Sequence, residues 1–127
     1  MNIRPAYLLD SDVLIWHLRR RAETMALLQA LAQEGPLACS VLSISEVLRL
    51  AREDEIPRTE RLLNTLIDLP VSKEIAILAA LLMRDRGPGY VDSHIAATAL
   101  LWEIPLVTYN RKDFERTGVR LFDTSNW

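Results

Sequence analysis

The sequence predicts an α/β domain built on a mostly parallel sheet. Short apolar runs alternate with longer helical patterns, and turn signals such as Gly35-Pro36 and "RGPG" at 86–89 fall where the patterns stop. Residues 7–9 read as the first strand, and residues 12 to about 20 continue as helix. A second helix over 23–34 ends at Gly35-Pro36, and residues 37–40 form a short strand. Residues 43 to about 54 are helical, and Pro57 suits the first turn of a further helix reaching 67. Residues 69–71 read as a third strand, and Ser72 caps a helix over 73–83. Beyond the "RGPG" break another helix covers 91–103. "PLVTY" (105–109) predicts a fourth strand, 111–118 a helical turn, and "VRLF" (119–122) the last strand. No repeat, low-complexity stretch or linker divides the chain, so one domain over 1–127 is expected.

Composition narrows the function classes. Half of the 127 residues are hydrophobic and a quarter are charged, the balance of a soluble globular protein. A net charge of −2 gives no overall basic field, which argues against passive wrapping of DNA but not against local gripping of RNA. Cys39 is the only cysteine, so a disulfide framework within the chain is excluded and a reducing cytoplasm is the expected compartment. No run of about 18 apolar residues is present to span a membrane. Asp10 and Asp12 interrupt any apolar core of a signal peptide.

In such a sheet, ligands bind outside the carboxyl ends of the strands, so the acids there are the candidates. Asp10 and Asp12 follow the first strand, Glu46 comes soon after the second, and Asp92 heads the helix leading to the fourth. Asn110 and Asp113 follow that strand directly. Each has a plainer role open to it. Asp10 or Ser11 can cap the first helix, and Asp12 can be a first-turn acid favoured by the helix dipole. Ser43-Ile-Ser-Glu46 fits a capping box, and the stripe of Ile44, Val47, Leu48 and Ala51 leaves Glu46 on the opposite face. Asp92 differs, because it shares a face with Ile95, Ala96 and Ala99, where an acid needs a partner. Taken singly, Asp113 reads as a surface acid and Asn110 as a helix cap. His17 and His94 read as structural, the run Arg19-Arg20-Arg21 as a solvated helix end, and Trp16, Trp102 and Trp127 as packing residues. Arg111 and Lys112 lie beside the site and are candidate phosphate ligands.

Together the acids say more. Carboxylates converging on one pocket repel each other, and a divalent cation removes the conflict. All-oxygen ligands select Mg²⁺ or Mn²⁺, and no Cys/His cluster competes for zinc. Such a pocket suits phosphoryl chemistry.

"LLDSDVLIW", "SVLSISEVL", "VDSHIAATALLWEIPLVT" and "YNRKDFER" occur in the order found in PIN-domain ribonucleases. The chain most resembles the VapC toxins of toxin–antitoxin pairs, over nearly its whole length. The resemblance implies a three-layer sandwich with about five parallel strands flanked by helices. It also implies metal-dependent endonucleolytic cleavage of RNA, a homodimer, and a small VapB-like antitoxin. Asp10 matches the first metal-binding aspartate, with Ser11 in the hydroxyl position after it. Ser40, Ser43 and Glu46 match "S-x-x-S/T-x-x-E", and Asp92 matches the aspartate opening "D-x-x-I-A-A-T-A". After Thr108-Tyr109 many PIN domains carry an acid where this chain has Asn110, so Asp113 is the fourth expected acid and Asn110 its support. Asp12 is expected to assist. Two alternatives stand beside this: a haloacid-dehalogenase-like phosphatase using Asp10 and Asp12, and a catalytically degenerate PIN domain that only binds RNA or protein. The phosphatase pattern departs at Leu14, where it requires Thr or Val. A signalling receiver lacks its phospho-acceptor aspartate near Pro70-Val71-Ser72.

Overall fold

The computed structural model describes residues 4–127. Four strands form one parallel sheet: β1 (Tyr7–Leu9), β2 (Leu37–Ser40), β3 (Ile67–Leu69) and β4 (Leu106–Val107), in the order β3-β2-β1-β4. Leu8 pairs with Ala38 on one side and Leu106 on the other, and Ser40 pairs with Leu69. The side-chain alternation of strands sorts this register into two cores. Leu9, Cys39 and Val107 face one layer, where they meet α1 (Ser11–Leu18), α2 (Ala22–Ala32), α3 (Val41–Leu50) and α4 (Ile56–Asn64). Leu8, Ala38 and Leu106 face the other, packed by Ile95, Ala96 and Ala99 of α6 (Tyr90–Trp102) and by Phe114. Helix α5 (Lys73–Arg86) lies outside α6 through Ile75, Ala79 and Ala97. Because both faces are covered, the strands are apolar on both sides and short.

Several expectations change in detail. The fifth strand shrinks to one parallel bridge, Leu106 to Leu121, held by Leu106 N–H to the Arg120 carbonyl at 2.8 Å and Phe122 N–H to the Leu106 carbonyl at 2.9 Å. The third strand ends at Leu69 rather than starting there, because Pro70 has no N–H to give to a ladder. Helix α3 starts two residues earlier than expected: Ser40, not Ser43, is its cap, its hydroxyl oxygen accepting from Leu42 N–H at 3.1 Å. Trp16 and Trp102 are exposed rather than packed, whereas Trp127 lies against the first core. Ser72 caps α5 as expected, accepting from Ile75 N–H at 3.2 Å. Among the described residues no helix is long and apolar enough to cross a membrane.

Chain order puts a topological switch beside β1. The sheet grows from β1 through β2 to β3 on one side, and β4 then returns to the other side of β1. The carboxyl ends of β1 and β4 therefore flank the crevice where such sheets bind ligands.

Candidate carboxylate site

Asp10 leaves β1 in an extended conformation and caps α1. Its Oδ1 accepts from Ser11 N–H at 2.8 Å, and its Oδ2 accepts from the Thr108 hydroxyl, also at 2.8 Å, at the end of β4. The helix-capping role and a role in the site are thus compatible, since the two oxygens are used separately. Asp10 is buried, 6 % exposed. Burial, then the charge of Asp12, pushes its carboxyl up to about 7, against the opposing pull of the Thr108 and Ser11 donors.

Asp12 stands one helical step away, with Oδ2 accepting from Tyr109 N–H at 3.0 Å and, more weakly, from the Thr108 hydroxyl at 3.4 Å. Burial raises its carboxyl despite those donors. Its Oδ1 is buried and has no hydrogen-bond partner among the described residues. Asn110 N–H donates to the Thr108 hydroxyl oxygen at 3.0 Å, so three consecutive residues after β4 serve the two aspartates. Asn110 takes part here through its backbone rather than its side chain.

Glu46 corrects the capping-box reading. With α3 capped by Ser40, Glu46 lies in the second turn, and its Oε1 accepts from the Ser11 hydroxyl at 2.6 Å across 35 residues of sequence. Ser43, the expected cap, is fully buried, and its hydroxyl has no partner among the described residues. Asp92 sits in the first turn of α6, half-buried, directly before the buried run from Ser93 to Ala99. Burial raises its carboxyl, followed by repulsion from Asp113, Glu46 and Asp12. Asp113 is exposed on the 3₁₀ turn Arg111–Thr117.

The expected acids are therefore neighbours in one electrostatic field, but not a closed cage. Among the described residues no three His, Cys, Asp or Glu side chains are gathered closely enough, as placed, to hold a metal ion. The donor set nonetheless fits a hard divalent cation in kind. Its members are carboxylate oxygens that raise one another's proton affinity, and Asp12 Oδ1 is buried without a donor among the described residues. An open cleft of about 520 Å³ adjoins this field, lined by Gly87, Pro88, Gly89, Asp92, Lys112, Asp113, Glu115 and Arg116. Lys112, one of the two candidate phosphate ligands, is among these lining residues. Arg111, the other, is not among them, and its guanidinium lies 3.5 Å from Asp123. Arg116 was not singled out by sequence, because one basic residue in a polar helical turn carries no signal.

Arg21 is likewise misread by sequence as part of a solvated basic run. It donates to the hydroxyls of Thr24 and Tyr109, both at 2.9 Å, and to the Trp127 carbonyl. Its guanidinium also stacks over the Tyr109 ring, 5.0 Å from the centroid. His94 is structural as expected, buried, with Nδ1 2.7 Å from the Tyr90 carbonyl.

A parallel sheet with acids gathered at its switch point defines a class, and sequence comparison gives its family: the PIN domain matches residues 7–120, and the chain belongs to it. Within that family it is 37% identical over 108 residues to ribonuclease VapC10 of Mycobacterium tuberculosis, covering 81% of each chain. It is 32% identical over 113 residues to ribonuclease VapC19 of the same organism, covering 84% of this chain and 90% of that one. Among solved structures it is similar to a chain of a toxin–antitoxin complex from Klebsiella pneumoniae. That match has a TM-score of 0.80 and 30% identity, over 91% of this chain and 96% of the other.

Proposed function

We propose that this protein is a Mg²⁺- or Mn²⁺-dependent endoribonuclease and the toxin of a cytoplasmic toxin–antitoxin pair. The observation that carries the reading is the buried Asp10, sharing one field with Asp12, Asp92, Glu46 and Asp113 at the sheet's switch point. Similarity to ribonucleases VapC10 and VapC19, and to a toxin–antitoxin complex, supports the substrate and the biological setting. The phosphatase alternative departs at Leu14, where its motif requires Thr or Val.

Asp10, Asp92, Glu46 and Asp113 are the residues that would hold the cation, with Asp12 assisting. A divalent cation there supplies charge neutralisation at the scissile phosphate and a more acidic attacking water. Thr108 fixes Asp10 by donating to one oxygen, and Ser11 orients Glu46. Lys112 and Arg116 line the cleft beside Asp92 and offer positive charge to phosphates flanking the cut. The protein acts as a homodimer and is held inactive by a small VapB-like antitoxin. Expression of the wild-type chain in bacteria is expected to arrest growth. Co-expression of a small protein encoded beside it relieves the arrest, and Asp10→Asn abolishes it. Harmless wild-type expression, or an Asp10→Asn variant that is equally toxic, contradicts the proposal.

A further inference from the structure

Behind the carboxylates, the segment that serves them is itself tied down, by residues distant in sequence. Tyr109 presents its N–H to Asp12, while its hydroxyl meets the Thr24 hydroxyl at 2.6 Å, the Arg21 guanidinium at 2.9 Å and the Trp127 carbonyl at 3.3 Å. The Thr124 hydroxyl donates to the Thr108 carbonyl at 3.0 Å, and Trp127 N–H donates to the Thr124 carbonyl at 3.0 Å. Thr124 and Thr108 are both buried. Each residue of the pair Thr108-Tyr109 therefore points one polar group at an aspartate and another at this brace.

The strand supplying the pair cannot fix it alone. Strand β4 is two residues long and ends at Val107, so Thr108 and Tyr109 lie beyond its ladder. The donors facing Asp10 and Asp12 therefore have to be held in place by contacts outside the ladder.

We infer that Tyr109 and Thr124 are positioning residues: braced by Arg21 and the turn at Thr124–Trp127, they hold the Thr108-Tyr109 donors against Asp10 and Asp12 and so preset the carboxylates for a divalent cation. This rests on the metal-binding reading above. Outer hydrogen-bond partners of this kind fix ligand orientation and tune metal affinity.

The test measures Mn²⁺ binding to metal-free protein by calorimetry, together with the melting temperature in EDTA. Tyr109→Phe keeps the ring and removes the hydroxyl with its contacts to Thr24, Arg21 and Trp127, and it is expected to weaken Mn²⁺ binding by about fivefold. Thr124→Val, which removes the other brace contact, is expected to do the same. In an Asp12→Asn background the Tyr109→Phe effect should shrink to near onefold, because the hydroxyl acts through Asp12. A residue with a merely stabilising role would lower the melting temperature and leave Mn²⁺ affinity unchanged. That result, or an undiminished effect in the Asp12→Asn background, overturns the inference while leaving the metal site intact. A wild-type protein that binds no Mn²⁺ removes the metal reading, and this inference with it.

Discussion

Asp10 combines three demands in one side chain: it caps α1, accepts from Thr108, and stays buried beside Asp12. Its carboxyl stands at about 7 in the folded chain against 3.8 in the unfolded one. The folded state thus holds a proton that the unfolded chain releases, so this group makes stability fall as pH rises from about 4 to 7. In EDTA, Asp10→Asn is expected to raise the melting temperature at pH 8, with the gain fading toward pH 4. A gain independent of pH would contradict the assignment. Protons compete with metal for the same oxygens, so Mn²⁺ affinity is expected to weaken below about pH 7. Glu46 gives a second residue-level test, since it accepts from Ser11 and caps nothing. Glu46→Gln should change stability by less than about 0.5 kcal/mol while weakening Mn²⁺ binding, measured by denaturant unfolding and calorimetry on the same sample.

At the scale of elements, the helix starts decide which acids face the site. Both Ser40 and Ser43 are reasonable caps by residue type, and pattern alone favours Ser43 because Glu46 completes a capping box. The chain chooses Ser40 because β2 runs through it, with Ser40 paired to Leu69, so the helix begins at Val41. Ser40→Ala is expected to cost about 1 kcal/mol, whereas Ser43→Ala, which removes a buried hydroxyl without a partner among the described residues, should be neutral or stabilising. Chemical unfolding of the two variants separates the alternatives. The loop before β2 is constrained as well: Gly35 has φ +154°, and a Cβ there would lie 3.0 Å from the Ala6 Cβ. The Gly35-Pro36 stop was legible from residue type alone, and the Ala6 contact was not. The outer strands were expected at 105–109 and 119–122, but their shortness was not, since two-residue pairing at β4 and a single bridge at Leu121 depend on neighbours rather than local propensity.

Over the whole molecule, the alternation of apolar runs and helical patterns was enough to point to the carboxyl ends of the strands, and so to Asp10, Asp12, Glu46 and Asp92, as the place to look for a site. Local sequence could not show the contacts that finish the site. Ser11 reaches Glu46 across 35 residues, Thr108 reaches Asp10 across 98, and Arg21 reaches Trp127 across 106. Each of those residues is ordinary in its own neighbourhood, which is why Arg21 read as a solvated cation. The two cores flank the sheet, and Phe114, on the same turn as Lys112 and Asp113, is fully buried in one of them. The central claim is that these carboxylates cleave RNA with a divalent cation. Its most direct measurement incubates purified protein with total cellular RNA, in Mg²⁺ or Mn²⁺ and in EDTA, comparing wild type with folded Asp92→Asn. Cleavage that needs the metal and falls at least about a hundredfold in Asp92→Asn is the predicted result. Cleavage that persists in EDTA, or that Asp92→Asn performs as well as wild type, would contradict it.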